Sequence, residues 1–487
     1  MSLQIIFDDT PVVPDAIRGL VGIESFGSIV FQRRSRHEAM RVVAAEAGAE
    51  FCVLRSAPDR DALERKLGEA GEGALHLVCP SNLVATGDDA AIVTFLKQLK
   101  FAPNAMQMPL VDGRERRGWL LMPTWLAAKY FQKSREGDLA GFLEQFGPMF
   151  VDVRDRVRLV DVCDERSLLD YLSGQFDARH FNAIEHDEFT VRKRSTDREK
   201  LKREFDFYRL TPPRMQMFLV QPFDFEDDGV TASYRMERVS VPDMALQWVH
   251  GAFQPAEFER FLAHIFHFIE VRPKMRAEQA RAAAIRKALY LDKVLERVST
   301  LKGLKAYPAL EPLLARGVGG IDALVERYRR HYEKRPARGA DLVIGHGDPC
   351  FSNILYSKTN QYLKLIDPRG ASTEQDLYTD AYYDVAKLSH SIVGGYDFIN
   401  QGKFDLSVDE ALGFRLDLEG GPPPWARSMF ESMLGRSGFE ARLTRLFEAS
   451  LFISMLPLHI DRPRKVLAFA LNAALILDEL DGTKGAT

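Results

Sequence analysis

The chain has 487 residues, 46% of them hydrophobic and 28% charged, with a formal net charge of −4. That balance is ordinary for a globular protein, and the length suggests about three compact units. It excludes the whole-chain electrostatic footprint of a nucleic-acid or membrane-surface binder. The opening "MSLQIIFDDTPVVPDAI" places acids where a signal peptide needs a basic region. The longest apolar runs, such as "VLAFALNAALIL", fall short of the ~20 residues that span a bilayer. Four scattered cysteines, Cys52, Cys79, Cys163 and Cys350, form no CxxC pair and read as reduced thiols. The expectation is a cytoplasmic protein with no transmembrane segment and no nucleic-acid partner.

In chain order, "GSIVFQ" reads as a strand, "HEAMRVVAAEAGA" as a helix and "EFCVLRS" as a strand. "DRDALERKLGEAG" is a second helix, "ALHLVCP" a third strand and "DDAAIVTFLKQLKF" another helix. Strands separated by helices of this length predict an α/β domain over residues 1–172, built on a parallel sheet with covered faces. The pattern then changes. "HFNAIEHDEFTVRKRS" alternates like a hairpin, and "DREKLKREFDFYRL" has helical spacing and stops at "TPP". "MFLVQPF" and "VTASYRMERV" are strands, with "DFEDDG" the turn between them. Residues 177–253 thus predict a small antiparallel lobe carrying one helix. Residues 254–480 are mainly helical, interrupted by one stretch rich in chemistry.

That stretch is "VIGHGDPCFSNILYSKTNQYLKLIDPRG", residues 343–370. Phosphoryl transfer requires in-line positioning, divalent cations on the phosphates and a group to receive the hydroxyl proton. Asp348 and Asn353 have the D-x-x-x-x-N spacing of a catalytic loop, and the alternating "YLKLID" delivers Asp367 at the end of a strand. Asn353 and Asp367 offer only hard oxygen ligands, which suit Mg²⁺. An isolated HGD or Asp-Pro means little; in this order, with a strand between them, the pieces point to one site.

"HGDPCFSN" and "LIDPRG" together resemble the aminoglycoside phosphotransferase and choline kinase family, a branch of the protein-kinase-like fold. The resemblance spans roughly residues 177–480. It implies that Asp348 is the catalytic base and that Asn353 and Asp367 are magnesium ligands. It further implies that His346 supports the loop and that Asp384 in "YYDVAKL" steadies it. The whole run, with "YYDVAKLSHSIVGGYDF", is most similar to kinase-like proteins of bacterial capsule and surface-polysaccharide gene sets. Pro368-Arg369-Gly370 departs from the acidic or aromatic residue common after the metal aspartate, which bears on the substrate rather than the reaction.

A kinase also needs a strand lysine on the nucleotide phosphates and a helix glutamate to hold it. "FTVRKRS" offers Lys193 and "KLKREFDF" offers Glu204, with Glu199 the runner-up. "YRMERV" looks like the approach to the family's hinge, so backbone around Glu237 to Val239 would meet adenine. The phosphate-covering loop, "LSGQFDARHFN", has a single glycine. Arg369 either contacts the γ-phosphate or an acidic substrate, or makes a surface ion pair. His390, Tyr396, Asp397, His459, Asp461 and Arg462 are candidates to bind a sugar, against caps and satisfied buried polar groups as the plainer account. His264 and His267, one turn apart without a third ligand, read as packing. Cys350 reads as a small packing residue.

"RVRLVDVCDERSLLDYL" (156–172) resembles the closing segment of sugar nucleotidyltransferase domains, yet the glycine-rich, basic loop that grips nucleotide there is missing. The first domain therefore reads as a degenerate relative. The function expected is an ATP- and Mg²⁺-dependent kinase acting on a sugar or polyol hydroxyl in surface-polysaccharide synthesis. The alternative is an inactive pseudokinase joined to a dead transferase domain, a scaffold binding nucleotide or sugar nucleotide. Oligomeric state and acceptor identity are not encoded in any motif.

Overall fold

The computed structural model describes residues 2–31, 33–69, 73–87, 89–110, 118–154, 156–173, 182–187, 189–336, 338–408 and 413–482. They form two compact units, Met1–Gln175 and Phe176–Thr487. No helix among the described residues is long and apolar enough to cross a membrane.

The first unit is a three-layer α/β sandwich. Its sheet runs Glu50–Leu54, Ser2–Asp8, Ala74–Pro80, Gly118–Pro123, Met106–Pro109, Val151–Asp152. Ser2–Asp8 lies between two parallel neighbours, Glu50–Leu54 and Ala74–Pro80. It is apolar on both faces because both are covered. Leu3, Ile5 and Phe7 pack with Val43, Ala44 and Leu96, while Ile6 packs with Leu63, Leu67 and Leu126. The expected covered faces are present, but the sheet is mixed: Gly118–Pro123 is antiparallel to both its neighbours. At Gly118 a Cβ would lie 1.9 Å from the Met108 carbonyl oxygen, so the antiparallel pair closes only around glycine. "GSIVFQ" is not a full strand. It forms a 3-10 turn, Phe26–Ser28, and a two-residue pairing of Val30–Phe31 with Arg34–Ser35.

In the second unit, an antiparallel sheet runs Asn182–His186, Thr190–Ser195, Ala232–Glu237, Pro222–Asp227. "DFEDDG" is mostly strand rather than turn. The reversal comes later, where the Asp228 carboxylate accepts from Val230 N and Thr231 N at 2.8 and 2.6 Å. Likewise, the strand expected across "MFLVQPF" begins only at Pro222. Asp197 caps the helix Arg198–Leu210, accepting from Lys200 N at 3.1 Å. That helix buries Leu201, Glu204 and Phe207, one face at three-residue spacing.

The helical remainder is built on Pro255–Val271, which opens with a Gln254/Glu257 capping box, and on Ala381–Ile392, Ala441–Met455 and Pro463–Asp481. The helix expected over 277–301 is interrupted by a π turn, Ala288–Asp292, directly before Lys293. The loop of interest follows the strand Asp341–Ile344 and enters a hairpin, Ile354–Ser357 with Tyr362–Leu365.

Candidate active site

Cross-strand register builds the first part of the site. Lys193 pairs directly with Tyr234, so both side chains leave the same face of the sheet, toward the Arg198–Leu210 helix. There the Lys193 ammonium meets the Glu204 carboxylate, and Tyr234 Oη donates to Glu204 Oε1 at 2.6 Å. Lys193 also contacts Asp367 Oδ1 at 2.9 Å. Lys193 and Glu204 are both about 95% buried in the sense that only 4% and 5% of each is exposed. Burial alone would lower the lysine pKa, but Asp367 and Glu204 outweigh it and drive it up, so the ammonium stays charged.

Asp367 sits two residues past the Tyr362–Leu365 strand at φ +57°, a left-handed conformation that aspartate tolerates better than most side chains. The turn continues through Gly370 at φ +60°, where a Cβ would stand 1.9 Å from the Arg203 carbonyl oxygen. The Asp367 turn is thus seated directly on the Glu204 helix. Gly370→Ala is expected to cost at least about 1 kcal/mol from the left-handed backbone alone and to shift the helix. A lowered Tm together with weakened nucleotide binding is the measurable signature.

The catalytic-type loop is clamped by a buried carboxylate. Asp384 accepts from His346 N at 2.9 Å and Gly347 N at 2.8 Å, and receives Arg272 Nη1 at 2.8 Å. Arg272 is itself fixed to the Ile269 and Ala381 carbonyls. The fully buried His346 ring lies among Phe207 and Phe268, accepts from Asp348 N at 3.3 Å through Nδ1, and is held neutral by burial. Asn353 Nδ2 donates to the Asp348 carbonyl at 2.9 Å. Ile366 N donates to the Asn353 carbonyl at 3.1 Å, which sets Asn353 beside the Asp367 turn.

Asp348 has a partner that sequence reasoning missed. Lys387 Nζ lies 2.9 Å from its carboxylate. Burial would raise the Asp348 pKa, but Lys387 and then Arg369 overcome this and hold it well below the carboxylate range. The signal was present: Lys387 is three residues after Asp384, so the helix presents both to the loop. Among the described residues Arg369 makes no ion pair. Its guanidinium lies over the Tyr383 ring, 5.2 Å from the centroid, and its backbone N–H donates to the His346 carbonyl at 2.9 Å.

Mg²⁺ fits this chemistry. With Asn353 Nδ2 engaged, the remaining side-chain atom of that residue is an oxygen, and Asp367 is 40% exposed in its side chain. No group of three His, Cys, Asp or Glu able to hold a metal occurs among the described residues. Two oxygen donors without a protein cage suit an ion that keeps waters and shares nucleotide phosphates.

The other candidates divide. Val239 joins an apolar cluster with Val220, Leu355 and Ile366, and Glu237 ends the adjoining strand, opposite Thr190. His390 is buried, stacked on Tyr396 at 4.3 Å and against Phe452 at 4.1 Å. Asp397 is buried nearby, its carboxyl pushed up to about 7 by burial. His459 packs on Phe469. Asp461 and Arg462 face solvent and pair with each other at 3.6 Å. His264 and His267 pack on Tyr356 and Phe218. Burial pushes the Cys350 thiol far up, as for an inert packing residue. Glu199 lies in the exposed first turn of the helix. Residues 174–181 of the expected phosphate-covering loop lie outside the described residues.

No family model and no curated protein matches the chain. Among solved structures it is similar to a spectinomycin phosphotransferase in complex with ADP and spectinomycin (TM-score 0.40, 11% identity, 62% of this chain and 91% of that one). It is also similar to a thermostable mutant of an aminoglycoside phosphotransferase in ternary complex with AMP-PNP and hygromycin B (0.35, 11%, 66% and 100%). A choline kinase from Cryptosporidium parvum is a third (0.29, 14%, 66% and 95%).

Proposed function

We propose that the second unit is a Mg–ATP-dependent small-molecule phosphotransferase acting on a hydroxyl, with a sugar or polyol as acceptor class and surface-polysaccharide synthesis as setting. The observation that carries this reading is the convergence of Lys193, paired to Glu204, on Asp367, next to a loop that presents Asp348 and Asn353. Lys193 holds the nucleotide phosphates as a fixed cation. Asn353 and Asp367 hold the magnesium, which neutralises charge on the phosphates when bound. The backbone of Glu237 to Val239 and the apolar cluster beneath Val239 receive the adenine. Asp348 orients the acceptor hydroxyl. As the oxygen forms its bond to the γ-phosphorus and the bond to the ADP oxygen breaks, the hydroxyl proton passes to Asp348 Oδ. A carboxylate kept strongly ionised is a weak base, which suits a loose transition state where the proton leaves late. The first unit is read as a degenerate nucleotidyltransferase-like domain.

The test is a thermal-shift titration of the full chain with Mg–AMP-PNP, coupled to an ADP-release screen over sugars and polyols. A Mg²⁺-dependent rise in Tm is expected. Asp367→Ala should weaken Mg²⁺-dependent nucleotide binding by at least about tenfold. No shift with or without Mg²⁺ would favour the scaffold reading instead.

A further inference from the structure

Charge around Asp348 does not balance. Five cations face four carboxylates: Lys193 pairs with Glu204 and Asp367, Arg272 with Asp384, and Lys387 with Asp348, which Arg369 reaches only at longer range. Two cations remain. Lys293 donates to Tyr383 Oη at 2.9 Å, and Arg369 covers the ring of the same tyrosine. Among the described residues, no carboxylate lies within ion-pair distance of either. Lys293 is placed there by the π turn Ala288–Asp292, which shifts the register of the helix just before it; such turns cluster at functional sites. Tyr383 is buried, one residue before Asp384 and one turn before Lys387, so the same helix carries the phenol and the partner of Asp348. Burial would raise the phenol's pKa, yet Arg369, Lys293 and Lys387 bring it down to about 8. By accessible surface Arg369 is exposed and Lys293 half-buried.

We propose that the acceptor is anionic: a carboxylate or phosphate on it docks on Lys293 and Arg369 while its hydroxyl faces Asp348. This rests on the phosphotransferase reading above and narrows it, from sugars and polyols in general to their acids and phosphate esters. A neutral acceptor would leave two like charges facing each other across Tyr383, and a cationic one would be repelled. An anion compensates both, and the forked guanidinium suits the paired oxygens of either group.

The experiment is calorimetric titration of the full chain, saturated with Mg–AMP-PNP, using glycerol 3-phosphate, gluconate and neutral sorbitol. The expected result is that one of the anions binds and sorbitol does not; which one binds separates the phosphate from the carboxylate source. In Lys293→Met/Arg369→Met the anion's affinity should fall at least tenfold, and Lys293→Arg should restore most of the single-site loss, which a purely structural lysine would not do. Equal binding of sorbitol, no binding of either anion, or an anion affinity unchanged in the double variant would each overturn the proposal. So would a double variant that weakens Mg–AMP-PNP by the same factor as the anion, because the cations would then serve the nucleotide. If Mg–AMP-PNP fails to bind at all, the phosphotransferase reading fails by itself, and the same anion titrations without nucleotide still decide whether the cluster takes an anion.

Discussion

Asp348→Ala should lower turnover by about 10²–10⁴-fold, the usual contribution of a positioned proton acceptor, while Mg–ATP affinity stays near that of the wild type. The separation follows from where the parts sit. Lys193, Glu204 and Asp367 form one hydrogen-bonded group, whereas the Asp348 carboxylate pairs with Lys387 on another helix. Removing it leaves the Lys193–Glu204–Asp367 group intact and, on the proposed function, takes away the atom placed to meet the acceptor. Single-turnover kinetics beside nucleotide calorimetry makes the comparison; equal loss of both would mark the residue as structural. The pH dependence has a definite sign. Because Lys387 and Arg369 outweigh burial, Asp348 ionises well below the ordinary carboxylate value of about 4. The acid limb of kcat/KM should therefore lie below that value, and Lys387→Met should move it upward. Ionised Asp348 likewise contributes to stability above about pH 4, a contribution lost progressively as pH falls through its depressed folded value.

Asp384→Ala carries the largest expected loss of stability, about 3–5 kcal/mol, the range for breaking a buried ion pair from one side. Arg272 would remain as an uncompensated charge in the interior, and two buried N–H groups, of His346 and Gly347, would lose their acceptor. Urea denaturation of the full chain reads the change. Arg272→Met should cost a similar amount through the stranded carboxylate. A loss under 1 kcal/mol for Asp384→Ala would mean that the loop is held by something else.

Much of the site was legible because its pieces are local. Asp348 and Asn353 share one turn, and Asp367 ends a short alternating strand. Lys193 and Glu204 sit on adjacent elements whose caps and spacing are plain in the sequence. What was hidden depends on distant chain segments. Lys293 reaches Tyr383 across 90 residues, through a π turn that no hydrophobic period announces. Arg272 reads as an ordinary end to an amphipathic helix until Asp384 is brought to it from 112 residues away. In the first unit, "LQIIF" lacks the alternation of a half-buried strand because it is an interior strand with both faces covered. The antiparallel Gly118–Pro123 strand was likewise invisible without its partners, since its direction is set by a hairpin and not by composition.

Gly370 seats the chain on the Arg203 carbonyl with no room for even a methyl group. The turn after Asp367 therefore lies directly against the helix that carries Glu204, and any side chain at position 370 would have to push the two apart. A wedge driven between that turn and that helix would part Asp367 from Lys193 and Glu204 together, so the seam marked by Gly370 is a place where nucleotide chemistry would be disarmed without touching Asp348.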